Sequence, residues 1–405
     1  MSVTPHFERG TGGVVISRKP PRQRGGSRHR IMVWWREIDR VLLGIVGSLL
    51  VCGIIAVAAG SAASAKRLST AAVQLPDLMF FWQHLTWLMI GLPVMLAVSF
   101  LPRSTARRMM ILVAAAMLFL LCIVPIAGHE INGARRWLRF GITMQPSEFY
   151  MPAFVVLLSW ILSWRMRDPS LPVIAITGGV LGVSTALLML QPNFGSAALL
   201  GGVWFVLVLT AGLSPKRIAW AGGALAAAVV AAYFLYENAR SRIDEFIGGG
   251  EAFGQVDLAR KTLLSGGWFG KGLWMGDRKN SLPEAHTDYV LSVVGEEFGL
   301  VAIAVIAILF CLLVVRVMWR MTREEDMFTL LAGTGLAALL GGQAFINMAV
   351  NLQLFPSKGM TLPLISYGGS SLIAHCISVG LLLSLTRRNP FLGRDSFSFA
   401  NGLPR

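Results

Sequence analysis

The chain is 405 residues long; 55% are hydrophobic and only 14% are Asp, Glu, Lys or Arg, where an average soluble domain carries about 25% charged residues. That balance excludes a disordered chain, which needs low hydrophobicity and dense charge, and it argues against an ordinary soluble enzyme. The charges are lopsided, 36 Lys plus Arg against 21 Asp plus Glu for a net +15, so the excess must be read against nucleic acid, anionic lipid, membrane topology or an anionic substrate.

Residues 1–37 are basic and rich in Pro and Gly, as in Arg18-Lys19-Pro20-Pro21-Arg22, and are expected to form a disordered cytoplasmic tail. A bilayer core takes about 20 apolar residues of helix. Runs of that kind lie near 41–59, 79–101, 109–127, 149–164, 172–190, 194–212, 218–236, 290–315, 328–350 and 363–385. The pair 172–190 and 194–212, broken at Gln191-Pro192-Asn193, reads either as two short helices or as one re-entrant element. The alternate short loops are all basic, carrying Arg103, Arg107 and Arg108; Arg165 and Arg167; Lys216 and Arg217; Arg316, Arg320 and Arg323; and Arg387 and Arg388. The positive-inside rule places those loops in the cytoplasm. The expected fold is therefore an all-α polytopic membrane protein of about ten transmembrane helices, with both termini cytoplasmic. A membrane domain over 38–385 contains one large extracytoplasmic loop, near 238–287, between helices 7 and 8, and 386–405 form a second cytoplasmic tail. Cys52, Cys122, Cys311 and Cys376 all fall inside apolar runs with no CxxC spacing, so neither a zinc site nor a disulfide framework is indicated.

Two outer loops break the charge rule. The loop near 128–147 carries Arg135, Arg136 and Arg139; the loop near 238–287 carries Arg240, Arg242, Arg260, Lys261, Lys271, Arg278 and Lys279; Lys358 is a further outer cation. An anionic ligand on that face is one explanation, and screening by acids such as Asp244, Glu245 and Glu251 is the other. Ser265-Gly-Gly-Trp-Phe-Gly-Lys-Gly272 misses the phosphate-loop pattern at both ends.

Chemistry concentrates in Pro283-Glu-Ala-His-Thr-Asp288, at the edge of an apolar run. Asp288 is either a general base or, with Thr287, an N-cap, and spacing alone favours the cap; His286 is a rival base by intrinsic pKa. Glu296 and Glu297 read as partners for an outer-loop Arg at least as well as chemical groups. Gln343, Asn347 and Asn351 form a polar stripe on one helix, either interhelical glue or the lining of a groove. Arg135 and Arg136 beside Trp137 suit a sugar phosphate, with an interfacial aromatic flanked by snorkelling arginines as the alternative.

Asn132-Gly-Ala-Arg-Arg-Trp137, Gln145-Pro-Ser-Glu148, Gln191-Pro192, Gly266-Gly-Trp-Phe-Gly-Lys-Gly272, Pro283-Glu-Ala-His-Thr-Asp288, Gly295-Glu-Glu297 and Leu362-Pro-Leu-Ile-Ser-Tyr-Gly-Gly-Ser-Ser371, in this order, resemble the SEDS family (shape, elongation, division and sporulation). The resemblance implies a membrane peptidoglycan glycosyltransferase of the bacterial cytoplasmic membrane, inverting, which polymerises lipid II (undecaprenyl-pyrophosphate disaccharide-pentapeptide) on the outer face. It implies Asp288 as the essential carboxylate and Trp137 as a functional residue. The candidates for holding substrate are then Trp137, Arg135, Arg136, Arg242, Lys358, Glu148, His286 and Glu297. It also implies a class B penicillin-binding protein transpeptidase as partner, other division membrane proteins around it, and no nucleic acid. Pro356-Ser-Lys-Gly-Met-Thr-Leu-Pro363 resembles the division branch, which points to the septum; an elongation polymerase and a lipid II flippase are the alternatives. Asn193 and Ser196 depart from the Asp and Thr frequent in the family. A divalent cation, Mg or Mn, would serve at the pyrophosphate, although no carboxylate cluster predicts a site for it.

Overall fold

The computed structural model describes residues 27–69, 73–131, 134–166, 168–248, 251–356 and 359–387. It divides into two units, Met1–Glu37 and Ile38–Arg405. Of the first, only α1 (Ser27–Glu37) is described, and most of the expected basic tail lies outside the described residues.

The second unit is helical. In chain order it contains α2 (Arg40–Leu68), α3 (Met79–Phe100), α4 (Arg103–Ala127), α5 (Pro146–Ser163), α6 (Val173–Leu190), α7 (Phe194–Thr210), α8 (Pro215–Leu235), α9 (Glu237–Gly248), α10 (Glu251–Leu264), α11 (Val290–Met321), α12 (Met327–Asn351) and α13 (Gly369–Leu385). Among the described residues eight helices are long and apolar enough to cross a membrane, and α7 and α13 are shorter apolar helices of 17 residues each, at the lower end of what spans a bilayer. Gln191-Pro192-Asn193 thus separates two helices. Asn193 Oδ1 accepts from Ser196 N at the start of α7, and the fully buried Gln191 donates from Nε2 to Leu121 O of α4 (3.0 Å). α5 and α12 are the most enclosed of the long spans, and α8 is the least covered.

The expected helical membrane fold is what the structure has, with one small addition between α4 and α5. There β1 (His129–Ile131), β2 (Ala134–Phe140) and β3 (Ile142–Met144) form an antiparallel sheet in that order. β1 and β3, of three residues each, leave no alternation long enough to recognise in a sequence. The expected long loop after α8 carries α9 and α10 before it becomes irregular at 265–289.

The ends of the helices sort into two sets. At one end, buried Asp39 caps α2, accepting from Val41 N (3.1 Å) and Leu42 N (3.2 Å), and its Oδ2 takes Arg316 Nε (2.9 Å) and Arg320 Nε (2.7 Å) of α11. Burial alone would push this carboxyl up, but those hydrogen bonds outweigh it and hold the pKa below the usual range. Arg103 forks onto Glu324 (3.0 and 3.1 Å) and donates to Leu385 O, while Arg165 donates to Gly212 O (3.1 Å). The basic loops therefore also tie neighbouring helix ends together through charge-assisted bonds to carboxylates and terminal carbonyls. The opposite end collects the sheet, the 191–193 turn, α9, α10, residues 265–289 and residues 352–356 and 359–368.

Candidate active site

The site is built on main chain held from behind. Glu284 starts a turn with φ 52°, and its carbonyl accepts from Thr287 N (3.1 Å) and Tyr289 N (3.3 Å). The carbonyls of His286, Thr287 and Asp288 are bound in turn. His286 O accepts from Tyr367 N (2.9 Å), Thr287 O from Ser366 Oγ (2.6 Å), and Asp288 O from Asn347 Nδ2 (2.9 Å) and Asn351 Nδ2 (3.2 Å). The polar stripe of α12 is therefore glue, and what it grips is the segment that carries Asp288. The capping alternative is not what the structure has: Tyr289 occupies the N-cap of α11 without a side-chain cap, and Thr287 Oγ1 bonds Glu284 instead (3.0 and 3.2 Å). Tyr289 anchors the segment in an apolar cluster with Ala59, Val256, Ala259, Leu282, Ala285, Val293 and Val350.

Arg136 reaches the same place from β2. His129 pairs with Trp137 and Glu130 with Arg135, which leaves Arg136 as the extra residue of a bulge; bulges re-aim a side chain in this way. Its Nε donates to Gln191 O (3.0 Å) and its Nη2 to Pro192 O. A Cβ placed on Gly359 would lie 3.6 Å from Arg136 Nη1 and 3.6 Å from Asp288 Oδ2, so guanidinium and carboxylate converge over that glycine. Arg135 does not join them. It is exposed and bonds its cross-strand partner Glu130 (3.1 Å), so the two arginines do not act as one clamp. Trp137, half-buried, follows Arg136 on β2.

His286 is buried between Phe80 (ring centroids 4.2 Å apart) and Tyr367 (5.3 Å). Burial pulls its pKa down to about 4, so the ring is neutral near pH 7. Glu148 lies in the first turn of α5, where the helix dipole favours a carboxylate; its Oε2 is enclosed with no hydrogen-bond partner among the described residues.

Glu296 and Glu297 stand apart from this convergence and form a lock, with lysines where an arginine was expected. Glu296 accepts from Lys271 Nζ (3.1 Å), Arg278 N (2.9 Å) and Lys279 N (2.8 Å); Glu297, 1% exposed, accepts from Lys279 Nζ, Trp274 N and Gly276 N. α11 breaks at Gly299 (φ 79°, ψ −178°), and the glycine-rich strip supplies the bonds the break leaves open. Lys271 N donates to Glu296 O (2.9 Å) and Gly272 N to Glu297 O (3.0 Å), while Leu300 N donates to Gly267 O (2.9 Å). The strip is a backbone patch on a broken helix, and several outer cations are absorbed by acids: Lys271, Lys279, and also Arg240 with Asp244 and Lys261 with Asp257.

Arg242 lies on α9 with its side chain outside the described residues, and Lys358 lies outside them altogether. Sequence reasoning did not single out Ser366 or Gly359. Their hydroxyl and missing side chain matter only through main chain brought in from afar, which leaves no local signal. Among the described residues no three His, Cys, Asp or Glu side chains gather to hold a metal ion, so the donor set does not fit a protein metal cage. What the arrangement offers chemically is one carboxylate to take a proton and one fixed cation beside it to bear developing negative charge.

A family profile described as cell cycle protein, covering FtsW, RodA and SpoVE, matches residues 40–390. A probable peptidoglycan glycosyltransferase FtsW of Caulobacter vibrioides is 34% identical over 366 residues, 90% of this chain and 93% of that protein. Among solved structures, a chain of a peptidoglycan synthase complex, described as coordinating polymerization and crosslinking, aligns with TM-score 0.69 at 29% identity over 86% of this chain and 97% of that one. The rod shape determining protein RodA of Thermus thermophilus aligns with TM-score 0.63 at 27% identity over 87% of this chain and 97% of that one.

Proposed function

The chain belongs to the FtsW/RodA/SpoVE family of cell cycle proteins, and from that premise we propose that it is the peptidoglycan glycosyltransferase that polymerises lipid II during cell division. It is a multi-pass membrane protein. It works at the septum, on the outer face of the bacterial cytoplasmic membrane, beside a class B penicillin-binding protein. The partner reading is supported by the structural likeness to a chain of a peptidoglycan synthase complex; the division reading is supported by the FtsW relatives and the Pro356-Ser-Lys-Gly pattern.

The reaction assigns Asp288 the general base. Its carboxylate takes the proton from the acceptor sugar's 4-hydroxyl as that oxygen bonds to the donor's anomeric carbon. The bond from that carbon to the phosphate oxygen breaks with inversion, and lipid pyrophosphate leaves with the electron pair. Arg136 stabilises the charge that grows on the phosphate, where a preorganised cation acts without reorganising at the moment of reaction. The single observation behind this assignment is the convergence of Arg136 Nη1 and Asp288 Oδ2 over Gly359.

The test is the purified chain with its transpeptidase partner, supplied with lipid II. Wild type makes glycan strands, and Asp288→Ala lowers the rate by at least about 100-fold, the usual range for a lost general base. Strands made by Asp288→Ala at the wild-type rate would remove it from the mechanism. Movement of labelled lipid II across vesicles with no strands formed would favour a flippase instead.

A further inference from the structure

The carboxamide of Asn347 does something its neighbours on α12 do not. It is 2% exposed, and its Nδ2 donates both to Asp288 O (2.9 Å) and to Met360 O (2.7 Å). An amide nitrogen carries two hydrogens, and here each serves a different segment. The neighbouring rungs of the stripe donate to one loop segment each: Gln343 Nε2 to Thr361 O (3.0 Å), with its Oε1 against His375 Nε2 of α13 (3.2 Å), and Asn351 Nδ2 to Asp288 O (3.2 Å). Asn351 in turn is held by Ser292 Oγ (2.7 Å) and sits against Asn347 Oδ1 (3.3 Å). All the acceptors outside the stripe are main-chain carbonyls of irregular backbone, which no helix ladder would otherwise satisfy.

We propose that Asn347 is a positioning residue of the glycosyl transfer. Its one side chain fixes the main chain of Asp288 against that of Met360, and so sets where the base stands relative to the Gly359 wall that Arg136 also meets. The inference rests on the function proposed above. Plain interhelical glue would bond helix to helix; this group joins two loop segments that meet nowhere else in the stripe, and both border the point where the carboxylate and guanidinium converge. Displacement of a reacting group by about 1 Å lowers rates by up to ~100-fold. Freeing the carbonyls is therefore expected to act on turnover before binding.

The experiment measures lipid II polymerisation by the complex with its transpeptidase partner for wild type, Asp288→Ala, Asn347→Asp and Gln343→Leu. Asn347→Asp keeps the size and replaces the donor by an acceptor that faces two carbonyls. It is expected to lower kcat at least about tenfold while KM stays within about threefold, with the thermal midpoint of the folded complex recorded alongside. Gln343→Leu, which frees Thr361 O and the His375 ring but no carbonyl of the Asp288 segment, is expected to lower kcat less. If Asn347→Asp does not fold, Asn347→Ser, which keeps one donor, takes its place with the same readouts. The proposal is overturned if kcat stays within about twofold of wild type, if the loss merely follows the loss of folded protein, or if only KM changes. Wild-type activity with Asp288→Ala inert and Asn347→Asp fully active would sink this inference alone; an active Asp288→Ala would sink the base assignment instead.

Discussion

Arg135 and Arg136 are adjacent and have different surroundings. Arg135 makes an exposed pair with Glu130, and such pairs contribute about 0–1 kcal/mol. Arg136 is turned inward by the bulge onto the 191–193 turn and faces Gly359. Arg136→Ala is expected to lower polymerisation about 100-fold or more, in the manner of a lost transition-state donor, and Arg136→Lys, which keeps the charge and loses the fork, to fall between. Arg135→Ala is expected to stay within about threefold of wild type; parallel strand assays check all three. His286 gives a pH prediction. Its pKa is pulled from 6.5 to about 4 by burial, so the unfolded chain binds the extra proton first. The contribution of His286 to stability is constant above about pH 6.5 and falls as pH drops from there toward 4, by up to about 3 kcal/mol. His286→Phe should flatten that part of the pH dependence in thermal melts. At this scale the residue types of the site were legible, since Asp288, Arg136 and Trp137 stand in recognisable company. The division of labour between two adjacent arginines was not legible, because it depends on the register of a strand only three residues long.

The elements differ in how openly they announce themselves. Long apolar runs give helices directly, because a backbone in lipid must satisfy its own hydrogen bonds. The break in α11 leaves no comparable mark, since Gly299 sits among apolar residues and the repair comes from a strip about 30 residues earlier. The glycines Gly266, Gly267, Gly270 and Gly272, close enough to a phosphate loop to invite comparison, are there for backbone contact. A Cβ on Gly270, with φ 80°, would lie 2.1 Å from Glu297 O. Gly270→Ala is therefore expected to destabilise the protein by at least about 2 kcal/mol and to lower its thermal midpoint visibly. Gly141→Ala, also at positive φ but with open space around it, should lose only about 1 kcal/mol. Equal midpoints for the two variants would contradict the packing role of the strip.

The molecule as a whole has two ends of different character. One is a set of short basic turns stitched by Asp39, Glu324 and terminal carbonyls; the other carries the sheet, α9, α10 and the candidate site. The positive-inside rule puts the stitched end in the cytoplasm. With the native cysteines replaced, Ser281→Cys is expected to react with a membrane-impermeant maleimide in intact cells, and Glu325→Cys only after the membrane is opened. The reverse pattern would invert the protein and remove lipid II of the outer leaflet as the proposed substrate.

One consequence of the α11 break concerns height. Val290–Glu297 is enclosed by protein, and open apolar positions begin at Val301. From Leu300 to Met321 the helix is roughly 33 Å long at 1.5 Å per residue, which matches a hydrocarbon core of about 30 Å. Gly299 then falls at the edge of such a core, and Val290–Phe298, on the far side of the kink, leads back to Asp288. The base proposed above then works in the water and headgroup layer. Because Arg136 and Asp288 meet over the same glycine, a donor must bring its pyrophosphate as well as its sugar up to that level, with only its lipid tail left below.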